Sequence, residues 1–114
     1  MQSRAMQARV WYWQRISAMV LAVCVLVHLV VIMVAVRGGL SAAEILGRTR
    51  DSWGFGLFYA VFVAACAVHA PIGLVRILEE WLGWRGRKVV LAAWLFGLLL
   101  LVLGLRAVYG VVAT

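Results

Sequence analysis

Three long runs of apolar residues dominate the chain, and short polar segments separate them. The runs cover about residues 16–36, 55–78 and 89–105, and each is close to the roughly 20 residues that a helix needs to cross the bilayer core. We therefore predict an all-α integral membrane protein with three transmembrane helices in an up-down-up bundle. Because little sequence remains outside the runs, we expect residues 1–114 to form a single membrane domain.

The composition agrees with this class of protein. Of the 114 residues, 67% are hydrophobic and 13% are charged, and the mean hydropathy is +1.05. These values lie far outside the range of soluble domains. The first run is too long for the core of a signal peptide and no small-residue cleavage site follows it, so we expect a permanent span. We also expect no soluble catalytic domain.

Basic residues are more numerous at one end of the predicted bundle. Seven lie on the side of the N-terminus and the second connection: Arg4, Arg9, Arg15, Arg76, Arg85, Arg87 and Lys88. Four lie on the other side: Arg37, Arg48, Arg50 and Arg106. The positive-inside rule then predicts a cytoplasmic N-terminus. The net charge of +7 suits anionic lipid and a cytoplasmic partner, and we expect no nucleic-acid binding.

The first connection has the pattern of a short helix. Gly38 and Gly39 can turn the chain out of the membrane, and Ser41 with Glu44 has the spacing of a capping box. We predict a short surface helix that ends near Gly47.

In the third run, two glycines seven residues apart, Gly97 and Gly104, share one helix face and predict a close contact, either with the first span or with a partner.

The only two histidines, His28 and His69, lie inside two different apolar runs. An ionisable side chain at that depth costs several kcal/mol unless it is paired, so we interpret both as candidate ligands of a buried haem iron. Depths counted from Arg15 and from Glu79 at about 1.5 Å per residue place both near the middle of the membrane. For His28 the alternative is a hydrogen bond to a neighbouring helix.

The two cysteines, Cys24 and Cys66, also lie inside the predicted spans. Cys24 is four residues before His28 and Cys66 is three residues before His69, so each pair shares a helix face. Two such pairs could bind zinc, but zinc motifs favour polar, loop-rich segments. We therefore expect the cysteines to act as small apolar side chains.

The residues that follow His69 extend one helix face towards the cytoplasmic interface. His69, Gly73, Arg76 and Glu80 are spaced at 0, 4, 7 and 11 positions. A small residue such as Gly73 lets a flat macrocycle lie close to the backbone, and Arg76 falls where a haem propionate would emerge. The alternatives are close helix packing for Gly73 and a snorkelling charge for Arg76.

Two segments carry a resemblance to a known family. The segment from His69 to Trp81, together with Arg15 to Leu21 at the start of the first span, resembles the small cytochrome b anchor subunits of succinate dehydrogenase and fumarate reductase. The length and the three spans are similar along the whole chain. The resemblance implies a haem b-binding anchor of a succinate:quinone oxidoreductase, multi-pass in the bacterial inner (cytoplasmic) membrane.

The resemblance also implies roles for individual residues. It makes His69 a ligand of haem b and places Arg15 and Ser17 near the haem propionates and the quinone pocket. It matches Glu80 and Trp81 to the acidic and aromatic residues that follow the second span of the family. The best-known members have tyrosine at the aromatic position. Trp81 can donate a hydrogen bond to a quinone carbonyl but cannot relay a proton.

His28 departs from the family pattern of a three-span anchor, and three arrangements stay open. His28 and His69 could hold one haem within the chain, each could hold one haem with a second subunit, or His69 alone could be a ligand. We favour ligation shared with another subunit, because a single helical hairpin would leave much of the porphyrin facing lipid.

We therefore expect the chain to attach a flavoprotein subunit and an iron-sulfur subunit to the membrane, with a second anchor subunit beside it. Electrons from succinate, in the tricarboxylic acid cycle, would reach ubiquinone or menaquinone. Alone the chain should be inert towards succinate. The alternatives are a haem-bearing anchor of another dehydrogenase, such as a hydrogenase or formate dehydrogenase, and a haem-free helical scaffold.

Overall fold

The computed structural model describes residues 3–113, and these form four helices and no strand. Helix α1 spans Arg4–Gly38, α2 spans Ala42–Thr49, α3 spans Trp53–Trp81 and α4 spans Arg87–Val112. The first, third and fourth are long and apolar enough to cross a membrane. The predicted all-α membrane protein with three spans is therefore confirmed.

The long helices extend beyond the apolar runs, and side chains cap the N-termini of α1 and α3. Helix α1 begins well before residue 16, and the hydroxyl of Ser3 accepts a hydrogen bond of 3.1 Å from the Met6 N–H. At the start of α3, the Ser52 hydroxyl accepts from the Phe55 N–H at 3.2 Å. Each cap satisfies one of the amide groups that a helix N-terminus leaves unpaired.

Helix α3 is the central helix and packs against both α1 and α4. Contacts between α1 and α3 join Ser17 to His69 and His28 to Tyr59, so the two helices are antiparallel. Helix α4 is antiparallel to α3 in the same way. The up-down-up order is confirmed, and the sidedness in the membrane stays a prediction from the charge distribution.

The contact between α3 and α4 depends on two glycines of α4. A Cβ on Gly97 would lie 2.5 Å from Cγ of Pro71, and a Cβ on Gly104 would lie 2.5 Å from a methyl carbon of Val63. The expected close helix contact is present, but its partner is α3. The prediction of a contact with the first span or another chain was wrong, because glycine spacing identifies a face and not the neighbour of that face.

The short helix α2 lies in the first connection and contacts the C-terminal end of α4. Its first turn matches the predicted cap, since the Ser41 hydroxyl accepts from the Glu44 N–H at 3.2 Å and donates to the Glu44 carboxylate at 2.7 Å. The helix continues past Gly47 to Thr49. The buried Thr49 hydroxyl donates to the Val111 carbonyl at 2.6 Å, which pairs a carbonyl in the last turn of α4.

We predict that Gly97→Ala destabilises the bundle by about 1–3 kcal/mol, because the new methyl group overpacks the α3–α4 contact. The measurement is thermal or SDS-induced unfolding of the full chain in detergent. Gly47→Ala is the matched control, since a Cβ there meets nothing within 4 Å. Equal stability of the two variants would contradict the packing described here.

Candidate functional site

One polar cluster lies between α1 and α3 around His69. Nδ1 of His69 is 3.4 Å from Oγ of Ser17, and the Ser17 hydroxyl donates to the Gln14 carbonyl at 3.1 Å. Ser17 is buried, with 5% of its surface exposed. The predicted residues Ser17 and His69 are thus brought together, across 52 positions of sequence.

Gly73 and Gln14 complete this cluster. A Cβ on Gly73 would have Nε2 of Gln14 as its neighbour at 3.5 Å, an ordinary contact distance. Oε1 of Gln14 is buried and has no hydrogen-bond partner among residues 3–113. A buried acceptor of this kind is normally satisfied by a donor, so the cluster is suited to receiving a further polar group. Gln14 was not predicted, although an amide between aromatic residues and an apolar run was a usable signal.

His28 occupies a second site, lined by aromatic side chains of α3. Its Nδ1 is 3.4 Å from the Tyr59 hydroxyl. The imidazole makes edge-to-face contacts with the rings of Tyr59 and Phe62, with centroids 5.7 and 5.6 Å away. Neither aromatic residue was predicted, since an apolar run with aromatic residues gives no indication of which ring meets a histidine.

The two histidines lie at different levels of the bundle. On α1, Ser17 is level with His69, and His28 lies 11 residues further along the same helix. That spacing corresponds to about 16 Å along the helix axis. The prediction of a similar depth was therefore wrong. One haem cannot take both axial ligands from this hairpin, because the two ligands must meet at the same iron.

The error came from treating Arg15 and Glu79 as marks of the same interface. Helix α1 continues back to Arg4. The guanidinium of Arg15 lies over the Trp11 ring at 5.5 Å, one turn nearer the N-terminus. The side chain of Arg15 therefore extends towards the membrane interface from a backbone position that lies deeper in the span. The position of Arg15 in the sequence does not mark the end of the span.

The donor set fits one axial ligand of a haem. Residues 3–113 supply a hydrogen-bond partner to Nδ1 of His69 but none to its Nε2, and a free imidazole nitrogen is what an iron requires. Gly73, one turn further along, adds no side chain, and the Gln14 amide lies 3.5 Å from the place where a Cβ of residue 73 would stand. Within residues 3–113, His69 is the one imidazole at this level of the bundle.

A metal ion held by several side chains is a different case. Within the described residues, no three His, Cys, Asp or Glu side chains are grouped so that they could hold a metal ion. Cys24 is buried with 4% exposure, Cys66 is half-buried, and both thiols are free. The two Cys–His pairs do not come together as a four-ligand zinc site.

The remaining predicted site residues have exposed side chains. Arg76, Glu80 and Trp81 are exposed at the C-terminal end of α3, and Trp81 has 82% of its surface exposed. Arg15 is also exposed, on the facing part of α1. Arg76, Glu80 and Trp81 are accessible near one end of the bundle, whereas Arg15 lies close to the level of Ser17 and His69.

Comparison with known proteins gives one family. The sequence model of the family of succinate dehydrogenase/fumarate reductase transmembrane subunits matches residues 2–105. The resemblance seen in the sequence is therefore confirmed. No curated protein and no solved structure matches the chain significantly.

Proposed function

Because the chain belongs to the family of succinate dehydrogenase/fumarate reductase transmembrane subunits, we propose that it is the haem b-binding anchor of a succinate:quinone oxidoreductase. It attaches a flavoprotein subunit and an iron-sulfur subunit to the bacterial inner membrane. The observation that carries the haem assignment is the half-buried His69 with its Nδ1 at Ser17 and its Nε2 without a partner in residues 3–113.

The charged end of the bundle is the docking side for the soluble subunits. The N-terminus of α1, the C-terminus of α3 and the N-terminus of α4 meet there, and this end carries seven of the eleven basic residues. Exposed aromatic residues, including Trp11, Trp81 and Trp84, accompany them. Such an end suits the cytoplasmic interface, its anionic lipid and an acidic protein surface.

His69 would hold the haem iron through Nε2, with a further ligand from a second anchor subunit. When bound, the haem supplies one-electron redox chemistry beside the path from the iron-sulfur clusters to the quinone. Arg15 and Arg76 neutralise the propionates at the interface, where long side chains can reach them. His28, about 16 Å away along the axis, either holds a second haem with a partner helix or packs through its contact with Tyr59.

Glu80 and Trp81 form the part of the quinone site that this chain contributes. The quinone is ubiquinone or menaquinone. The indole N–H of Trp81 donates to a quinone carbonyl, and the carboxyl group of Glu80 supplies a proton. Both side chains are exposed at the C-terminal end of α3. We assign this end to the cytoplasmic face, so the soluble iron-sulfur subunit would close the pocket over them.

We predict that His69→Phe removes a b-type haem from the complex, because phenylalanine fills the space of the imidazole without binding iron. The measurement is a reduced-minus-oxidised absorption spectrum of the detergent-purified complex, with haem counted per copy of this chain. His28→Phe is run alongside, since it tests the second site on the same helix pair. Loss of part of the haem in each variant would indicate two haems.

An intact complex with no haem band would remove the cytochrome part of the proposal. Co-purification of a flavin subunit and an iron-sulfur subunit tests the anchor part separately. A chain that purified without either subunit would favour a helical scaffold, and a partner with another cofactor would favour the anchor of a different dehydrogenase.

We predict that Trp81→Phe raises the KM for quinone several-fold, as the loss of about 1 kcal/mol from one hydrogen bond implies. Steady-state succinate:quinone reduction by the purified complex measures this. Trp53→Phe is the matched control, because Trp53 is also on α3 and exposed, at the opposite end. An unchanged KM in Trp81→Phe would exclude the indole from the quinone site.

A further inference from the structure

The Ser17 hydroxyl has one proton, and the geometry indicates where that proton lies. Oγ is 3.1 Å from the Gln14 carbonyl, three residues earlier on α1, and 3.4 Å from Nδ1 of His69 on α3. A carbonyl only accepts, so both contacts are hydrogen bonds at the same time only when the hydroxyl donates its one proton to Gln14. Towards His69, the Ser17 oxygen is then left as an acceptor.

This assignment fixes the tautomer of His69. Nδ1 must carry the proton in order to donate to Ser17, so the lone pair of the neutral imidazole lies on Nε2. That is the tautomer that binds a metal through Nε2, with a polar partner on the other ring nitrogen. We propose that Ser17 is a positioning residue that holds His69 as the Nδ1–H tautomer and thereby presents Nε2 to the haem iron. The role in ligation rests on the proposed function above.

Ser17 is well placed to hold the imidazole in one orientation. It is buried at 5% exposure in the α1–α3 interface, and its bond to the Gln14 carbonyl restricts the rotation of its side chain. The three groups form a chain in which Nδ1–H donates to Oγ and the hydroxyl donates to the carbonyl. Linked hydrogen bonds of this kind polarise one another and raise the basicity of the ligand nitrogen.

A more basic ligand stabilises the ferric state more than the ferrous state. Ser17 should therefore lower the midpoint potential of the haem that His69 binds. The resemblance to the family placed Ser17 near the propionates and the quinone, whereas the contacts in this chain place its hydroxyl oxygen at Nδ1 of His69.

The contact between Tyr59 and His28 provides a matched comparison. It also joins a hydroxyl to a histidine Nδ1 across α1 and α3, at the same distance of 3.4 Å. The Tyr59 hydroxyl has no second hydrogen-bond partner within residues 3–113. Its proton is therefore available for His28, and the geometry does not force the Nδ1–H tautomer there. Removal of this hydroxyl should leave His69 unaffected.

The first test is a redox titration of the haem, with ferric EPR spectra, in complexes that carry Ser17→Ala, Ser17→Thr or Tyr59→Phe. We expect Ser17→Ala to keep the haem and shift the midpoint potential of the His69 site to a more positive value, with a changed EPR spectrum. Ser17→Thr keeps a hydroxyl and should restore both values, and Tyr59→Phe should change neither at that site. A wild-type midpoint potential and EPR spectrum in Ser17→Ala would overturn the proposal. A midpoint potential in Ser17→Thr that is shifted as far as in Ser17→Ala would also overturn it.

The second test does not depend on haem. The full chain is labelled with ¹⁵N-histidine, purified in detergent without haem, and its imidazole nitrogen shifts are measured at a pH where His69 is neutral. We expect a protonated Nδ1 in the wild type and a mixture of tautomers in Ser17→Ala, with no change at His69 in Tyr59→Phe. A protonated Nε2 in the wild type would overturn the proposal even if the complex binds haem. The expected tautomer in a complex that contains no haem would instead sustain the positioning role and remove only the haem assignment.

Discussion

The position of α3 between α1 and α4 is the constraint on which the rest of the structure depends. Lipid tails are as apolar as the side chains of these helices, so burial of apolar surface gives little preference for one helix arrangement over another. Shape and polar contacts have to supply that preference. On one side of α3, Pro71 and Val63 fit against glycines of α4, and this close approach fixes the register of the pair.

The other side of α3 holds the polar contacts. His69 and Pro71 are two residues apart, which is about 200° around a helix, so they face opposite neighbours. Pro71 packs on Gly97 of α4, and His69 meets Ser17 of α1. The close apolar contact of Pro71 with α4 on one face of α3 thus helps to fix the position of the His69 imidazole on the opposite face. Pro71 removes the amide that would bond the Ala67 carbonyl, and the absence of a side chain at Gly97 leaves room beside that carbonyl.

The two histidine contacts also set the register of α1 against α3. Each joins polar atoms inside an apolar interface, where an unpaired polar group is costly. Because the contacts lie about 16 Å apart along the axis, a slip by one turn would break both. The same two contacts that make the site therefore contribute to the specificity of the helix pair, and they separate the histidines into different levels of the membrane.

Apolar run length was sufficient for the three spans and their antiparallel order, because a helix of about 20 apolar residues crosses the bilayer core and pairs its own backbone. The capping-box spacing of Ser41 and Glu44 was sufficient for the short helix that follows. The spacing of His69 and Gly73 placed both on one face, since the helix period is fixed. The tertiary structure decided the neighbours. It brought Ser17 and Gln14 to His69, set Tyr59 and Phe62 against His28, and directed Gly97 to α3. No local pattern carries this information, because the relative shift of two helices depends on how their surfaces fit, and a shift of a few residues leaves every periodicity in the sequence unchanged.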